Sequence, residues 1–394
     1  MFFATALRYL FNATITLAAL YASFLALLTV PYFQDNVIYL HKIALTWFQD
    51  VNYPEQWGFL HNQVTPFYLQ TPDGERLHAW HILPLGLYHK HETELISEPS
   101  GLTDDVIKRT SFKLLRDDPD ALLVLYLHGA AGTLGSGFRP PSYRAISAGA
   151  PSKIHILAVD YRGFGTSSGW PSEDGLLTDA LTLVDWARDM VGIPPERIVV
   201  FGQSIGTAVA MSTAHHLATI ATPPAYFKGM ILVAPFTDVE RLTATYRLAG
   251  TIPLLSPLAH IPPLLRALNR LIKDKWYSST KIAEFLSNCE QSKSSTARYD
   301  ISIIHAKDDY DIHWSHSEHL FWHAVRGLEN RNVTLDELER EKSLRKKDLG
   351  AGGWSIDWEG KKGVVRQQIL EYGLHDRVMG YPVVSLAVLR AFGI

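Results

Sequence analysis

Residues 197–214 read Arg-Ile-Val-Val-Phe-Gly-Gln-Ser-Ile-Gly-Thr-Ala-Val-Ala-Met-Ser-Thr-Ala, and the fold turns on them. Arg197–Phe201 is a short apolar run of the kind buried inside a sheet. It enters Gly202-Gln203-Ser204-Ile205-Gly206 directly, and Thr207–Ala214 continues with helical character. G-x-S-x-G between a strand and a helix places its serine on a sharp turn above the sheet. Glycines on either side, Gly202 and Gly206, leave room for that backbone. A helix opening at the serine aims its positive end at charge developing there, so Ser204 is the expected nucleophile.

Outward from this turn the pattern repeats. Ala121–Leu127, Ile154–Val159, Gly229–Val233 and Ile301–His305 are further near-continuous apolar runs, and Val364–Leu370 reads as the terminal strand. Runs without polar alternation fit parallel strands covered on both faces. After Ser172, apolar residues at Leu177, Leu181, Val184 and Ala187 predict a helix packed on the sheet. The class is therefore α/β, a mostly parallel twisted sheet with helices on both faces. Gln63–Gln70 and Glu75–Leu83 predict two strands joined by Thr71-Pro72-Asp73-Gly74, with Pro66 and Pro84 demoting them to edge or interrupted strands. Leu85–Asp120 reads as an irregular surface insertion, Thr237–Arg298 as a helical lid, and Leu328–Lys362 as a charged insertion with a helix near Leu335–Arg345.

Two more segments carry chemistry. The run ending at Leu127 leads into His128-Gly129-Ala130-Ala131-Gly132, small residues suited to aiming a backbone amide at Ser204. The amides of Ala130 and Ile205 are the expected oxyanion donors, with His128, Gly129 and Gln203 in support. Asp160-Tyr161-Arg162-Gly163 lacks the lysine and spacing of a phosphate loop, so Asp160 and Arg162 are expected to fix neighbouring loops. Sheets of this kind place the acid and then the histidine after the serine. Three aspartates follow the strand at Ile301–His305; Asp309 is preferred because its Asp-x-x-Ile312 spacing resembles the acid turn of hydrolases, Asp308 is second and Asp311 completes the set. His375, in the loop after the last strand, is the expected base. His313, His316, His319 and His323 would share one helix face, but no carboxylate on that face completes a catalytic metal set, so a solvated or hydrogen-bonded helix face is expected and no metal or organic cofactor is required.

Composition bounds the rest. The 394 residues carry 37 basic and 40 acidic side chains, net −3, without the footprint of a nucleic-acid binder. A single cysteine, Cys289, excludes an internal disulfide and a multi-cysteine metal site. Tyr9–Gln34 holds no charge, and the 22 residues Tyr9–Val30 would form a helix roughly 33 Å long, enough to cross a bilayer, with Pro31 as its stop. Tyr32, Phe33, Trp47 and Phe48 suit an interfacial belt. The expected organisation is residues 1–34 as tail and anchor, 35–62 as a juxtamembrane segment and 63–394 as the catalytic domain, with lid 237–298 and insertion 328–362. Arg8 before the span, with Asp35, His41 and Lys42 after it, and an Asn332-Val333-Thr334 sequon favour a catalytic body on the lumenal or outer side.

Taken together, Leu125–Gly132, Asp160–Gly165 with Ser167–Gly169, Gly202–Gly206 and the Asp309/His375 pair resemble the α/β-hydrolase serine enzymes. His128–Thr133, Asp160–Gly163, Pro171–Glu173 and Ala234–Thr237 are similar to the membrane-anchored lipases that hydrolyse lysophosphatidylserine and monoacylglycerol. The resemblance implies an α/β-hydrolase fold, residence in the endoplasmic reticulum membrane and a lipid ester substrate. Ala130 stands where those lipases have asparagine, Gln203 stands beside the nucleophile where they have histidine, and residues 328–362 are longer than their counterpart. The competing expectations are an acyl-protein thioesterase using the same three residues and a catalytically inactive membrane-anchored binding protein. Aspartate-nucleophile epoxide hydrolases and dehalogenases are disfavoured by the serine at 204.

Overall fold

The computed structural model describes residues 2–247 and 250–394. Its strands are β1 (Val64–Gln70), β2 (Arg76–Ile82), β3 (Leu122–Leu127), β4 (Ile154–Val159), β5 (Ile198–Gln203), β6 (Gly229–Val233), β7 (Tyr299–Ala306), β8 (Lys347–Gly350), β9 (Gly353–Glu359) and β10 (Gly363–Leu370). They form one ten-stranded sheet in the order β1-β2-β4-β3-β5-β6-β7-β10-β9-β8. The six central strands from β4 to β10 are mutually parallel, and antiparallel pairs close both edges.

Helices α1 (Phe2–Leu27) and α2 (Pro31–Tyr39) precede the sheet, and α3 (Leu85–Lys90), α4 (Glu92–Ser97) and α5 (Thr110–Arg116) follow β2. Then come α6 (Arg139–Ala148), α7 (Glu173–Asp185) and α8 (Ile205–Thr219). Between β6 and β7 lie α9 (Val239–Thr245), α10 (Pro262–Leu271) and α11 (Ser278–Gln291), and α12 (Ser315–Glu329), α13 (Leu335–Arg345) and α14 (Pro382–Phe392) complete the chain. Most of the central runs are near-continuously apolar because each strand covers two cores. Leu123, Leu125 and Leu127 of β3 and Ile198 and Val200 of β5 face the core that α7, α8, α11 and α12 complete. Val124, Tyr126, Val199 and Phe201 face the opposite core with α6 and α14.

Several expectations need correcting. β1 is an edge strand, with Pro66 inside it, but β2 is interior, since it pairs with both β1 and β4 and ends before Pro84. Residues 85–120 are not an irregular insertion: Tyr88, Leu95, Phe112 and Leu115 bury the apolar faces of three short helices. α1 stops at Leu27, and Pro31 opens α2, where a proline costs no hydrogen bond. The stretch 237–298 divides, because α11 buries Ile282, Phe285, Leu286 and Cys289 in the main core, leaving α9 and α10 over the site. Residues 328–362 contain the expected α13 but also extend the sheet through β8 and β9, with Ile356 and Trp358 buried.

Arg162 fixes neighbouring loops as its setting suggested. It holds Asp73 in the β1–β2 turn at 2.7 Å and Asp179 of α7 at 2.8 Å. Burial pushes Asp179 up to about 6 even though Arg162 favours its charge. Arg162→Ala would strand a buried carboxylate, an expected loss of about 3–5 kcal/mol. The denaturation midpoint should fall accordingly, with the deficit shrinking as pH falls towards about 6, because Asp179 without Arg162 is pushed further up and protonates before the native carboxylate does.

Candidate active site

Ser204 joins β5 to α8 with φ 54° and ψ −121°, a left-handed conformation that a non-glycine residue adopts only when its surroundings enforce it. Its own N–H donates to Val233 O at 3.0 Å, and its carbonyl accepts from Thr207 N and Oγ1. The flanking glycines are sterically required. A Cβ on Gly206 would lie 2.0 Å from Leu127 O, and one on Gly202 would lie 2.4 Å from Gly206 O. A Cβ on Gly129 would lie 3.1 Å from the Ser204 Cβ, so the loop after β3 comes directly against the serine.

That loop is braced on its far side. Arg139 donates to Thr133 O at 2.6 Å, Ala131 O at 2.7 Å and Gly129 O at 3.0 Å. The end of α2 and the chain after it accept from this loop: Ala131 N reaches Tyr39 O at 2.9 Å, and Gly132 N reaches Ile43 O at 2.6 Å. Among the described residues no acceptor engages the N–H of Ala130 or that of Ile205, the first residue of α8. His128 does not reach the cavity. It is buried against Tyr161 and Phe164, with Nδ1 2.7 Å from Gly129 O and Nε2 3.4 Å from Asp160, so it positions the loop. Burial lowers its pKa.

On the other side of Ser204, the loop after β10 brings His375 over Asp309, with Nδ1–H donating to Oδ2 at 2.8 Å. The other oxygen of Asp309 accepts from Asp311 N and Ile312 N at 2.9 Å each, which is the physical content of the Asp-x-x-Ile spacing. Asp308 does different work, accepting from Gly373 N and Leu374 N at 2.8 Å and so holding the loop that carries His375. Gln203 Nε2 ties the same loop through His375 O and the Asp376 carboxylate. Burial disfavours the charged imidazole of His375, yet Asp309 beside it, with Asp376 and Asp311, pushes it up to about 9. Asp309 is buried too, which opposes its charge, but His375 and His305 hold it well below the ordinary carboxylate range.

His305, not singled out from the sequence, is the second histidine on Asp309. Its Nε2 lies 3.1 Å from Oδ2 and 2.9 Å from Ile312 O, while Nδ1 meets Ser317 Oγ at 2.5 Å. A histidine closing an otherwise apolar strand, four residues before the acid, was the available signal. The histidines of α12 and the turn before it do not converge. His316 is buried between Thr237 and Thr245, which with neighbouring cations takes its pKa down to about 3, whereas His319 and His323 pack on Trp322. Among the described residues no three or more of His, Cys, Asp and Glu are arranged to hold a metal ion.

Ala130, Ser204, Ile205 and His375 open on one cavity of about 280 Å³. Its walls are mostly aliphatic, from Val37 and Ile38 of α2, Val239 and Leu242 of α9, and Leu254 and Leu268. Residues 123–330 match the family described as serine aminopeptidase, S33. The lysophosphatidylserine lipase ABHD12 of Danio rerio is 31% identical over 210 residues, 53% of this chain and 49% of its own length. This chain thus spans about half the length of the lysophosphatidylserine lipases it matches. Protein ABHD12B of Homo sapiens is 29% identical over 299 residues, 75% of this chain and 71% of that one. An alpha-beta hydrolase from Vibrio vulnificus superimposes with a TM-score of 0.52 at 16% identity, covering 90% of this chain and 91% of its own, which is agreement in fold.

Proposed function

The chain belongs to the serine aminopeptidase S33 family of hydrolases, and we propose on that premise that it is a membrane-anchored serine hydrolase cleaving the acyl ester of monoacylglycerols or lysophospholipids such as lysophosphatidylserine. The observation that carries this reading is that Ser204, His375 and the two residues with unengaged amides, Ala130 and Ile205, line one mostly aliphatic cavity. Ser204 Oγ attacks the ester carbonyl while His375 Nε2 takes its proton. The amides of Ala130 and Ile205 receive the oxyanion. His375 returns the proton to the departing glycerol or glycerophosphoryl oxygen, and water, activated by the same imidazole, then releases the fatty acid from Ser204. Asp309 holds the Nδ1–H tautomer throughout. An aliphatic wall recognises an acyl chain, and a single-chain lipid brings one chain to bury.

Helix α1 contains one stretch, Thr5–Leu27, long and apolar enough to cross a membrane. In this reading residues 1–34 form the anchor, 35–62 connect it and 63–394 carry the hydrolase. The catalytic body lies in the lumen of the endoplasmic reticulum, where exposed Asn332 would be glycosylated. Loss of a gel shift on glycosidase treatment or in Asn332→Gln would report that orientation.

The deciding assay is fatty-acid release by the full chain in vesicles from lysophosphatidylserine, monoacylglycerol and an S-acylated peptide. Ester cleavage is expected. Cleavage of the thioester alone would make the protein an acyl-protein thioesterase, and a folded protein that cleaves none of the three would be a binding protein.

A further inference from the structure

The end of α1 is built into the enzyme. Leu28 is buried with Leu258 and Leu268, and Tyr21, Phe24 and Leu25 pack on the same cluster together with Val37, Leu255 and Leu265. Tyr21 also donates its hydroxyl to Leu254 O at 3.1 Å. Tyr21 lies six residues before Leu27, the end of the candidate span, about 9 Å along a helix axis. The span is 23 residues long, about 35 Å against a hydrocarbon core of about 30 Å. Any placement that carries Thr5–Leu27 across a bilayer therefore puts the segment around Leu254–Leu258 at the depth of the acyl chains.

The surface around that contact is built for such a position. Ile252, Ile261, Leu264 and Leu271 of the lid are each about half exposed, and Trp47 and Phe48 of the juxtamembrane loop are 84% and 104% exposed. Such a concentration of bare apolar side chains is costly in water. Helix α10 carries Leu264, Leu265, Leu268 and Leu271 on one side and exposed Arg266 and Arg270 on the other, the pattern of a helix lying in a membrane interface with its cations among the headgroups. The cavity shares these walls: Leu28, Val37, Leu254, Leu255 and Leu268 line it together with Ser204.

We propose that the lid from Leu254 to Ile272 and the juxtamembrane loop carrying Trp47 and Phe48 are inserted in one leaflet, and that the cavity opens into that leaflet. A single-chain lipid then slides from the bilayer to Ser204 without its acyl chain crossing water. The entry path rests on the proposed lipid-esterase function; the insertion does not.

The test uses the full chain in phospholipid vesicles, with an environment-sensitive fluorophore on Leu264→Cys, Phe48→Cys or, as control, Ser295→Cys. Ser295 is exposed just before β7, at the end of the strands away from Ser204. Native Cys289 is fully buried with its thiol pushed up to about 12, so it stays unlabelled. Lipids brominated on their acyl chains should quench labels at 264 and 48 and leave the label at 295 unaffected; equal quenching at all three sites overturns the insertion. Leu264→Glu combined with Phe48→Glu should lower hydrolysis of vesicle-borne lysophospholipid by about tenfold or more while hydrolysis of a water-soluble short-chain ester holds. Unchanged hydrolysis of both substrates, or an equal fall in both, overturns the entry path. A wild-type protein that cleaves neither ester removes the esterase reading and leaves the quenching result to decide insertion.

Discussion

Ser204→Ala is expected to lower kcat for ester hydrolysis by about 10⁶-fold, the scale on which removal of a nucleophilic serine acts, and to abolish labelling by a fluorophosphonate. In barrier terms this is about 8 kcal/mol. The loss should fall on chemistry alone. Among the described residues the Ser204 hydroxyl anchors nothing, since the turn is held by the backbone contacts to Val233 and Thr207. Alanine keeps those contacts and suffers the same left-handed φ of 54°, so KM and the melting temperature should stay close to wild type. The amides of Ala130 and Ile205 remain, and activity should stay measurably above the uncatalysed rate. Persistent labelling of the alanine variant would place the nucleophile elsewhere.

The sheet is readable because most of its central strands are buried on both faces and therefore written in near-continuous apolar residues, β10 with Arg366, Gln367 and Gln368 being the exception. The same rule hid β8 and β9. Lys347 and Asp357, paired at 3.0 Å, and Asp348 make that edge look like a solvated excursion, although Ile356 and Trp358 point inward. The sequence does not set helix α11 apart from the lid, because the prolines and leucines around α10 dominate the character of the whole stretch. The choice of Asp309 over Asp308 rested on spacing, and the structure adds the reason for both: one carboxylate takes the imidazole, and the other takes the amides of the loop that carries it. What no local pattern could convey is tertiary. Tyr39 and Ile43, read as a connector, supply the carbonyls against which the Ala130 loop is built. His305 meets Asp309 only because β7 ends where it does.

Asp309→Asn is the second large effect, about 10⁴-fold in kcat, by analogy with loss of the orienting acid in other serine hydrolases. The turn dictates how the amide must lie. Asp311 N and Ile312 N each donate at 2.9 Å to one oxygen of the native carboxylate, so the asparagine oxygen has to stay there. Its NH₂ then replaces the oxygen facing His375 Nδ1, which it can meet only as a donor. The neutral imidazole is driven to carry its proton on Nε2, toward Ser204, and cannot act as the base. The pH profile should separate this from simple unfolding. In the native protein burial lowers the imidazole pKa, but Asp309 with Asp376 and Asp311 lifts it to about 9. The acid limb of kcat/KM should accordingly lie well above the ordinary histidine value of about 6.5. The same raised pKa stabilises the fold fully below pH 6.5, and that contribution fades as pH rises through about 9. Without the anion burial dominates, so the residual acid limb should move down by more than one pH unit, and the stability conferred by protonation should vanish with it. An asparagine variant that kept the native acid limb would mean that Asp309 does not set the protonation of His375.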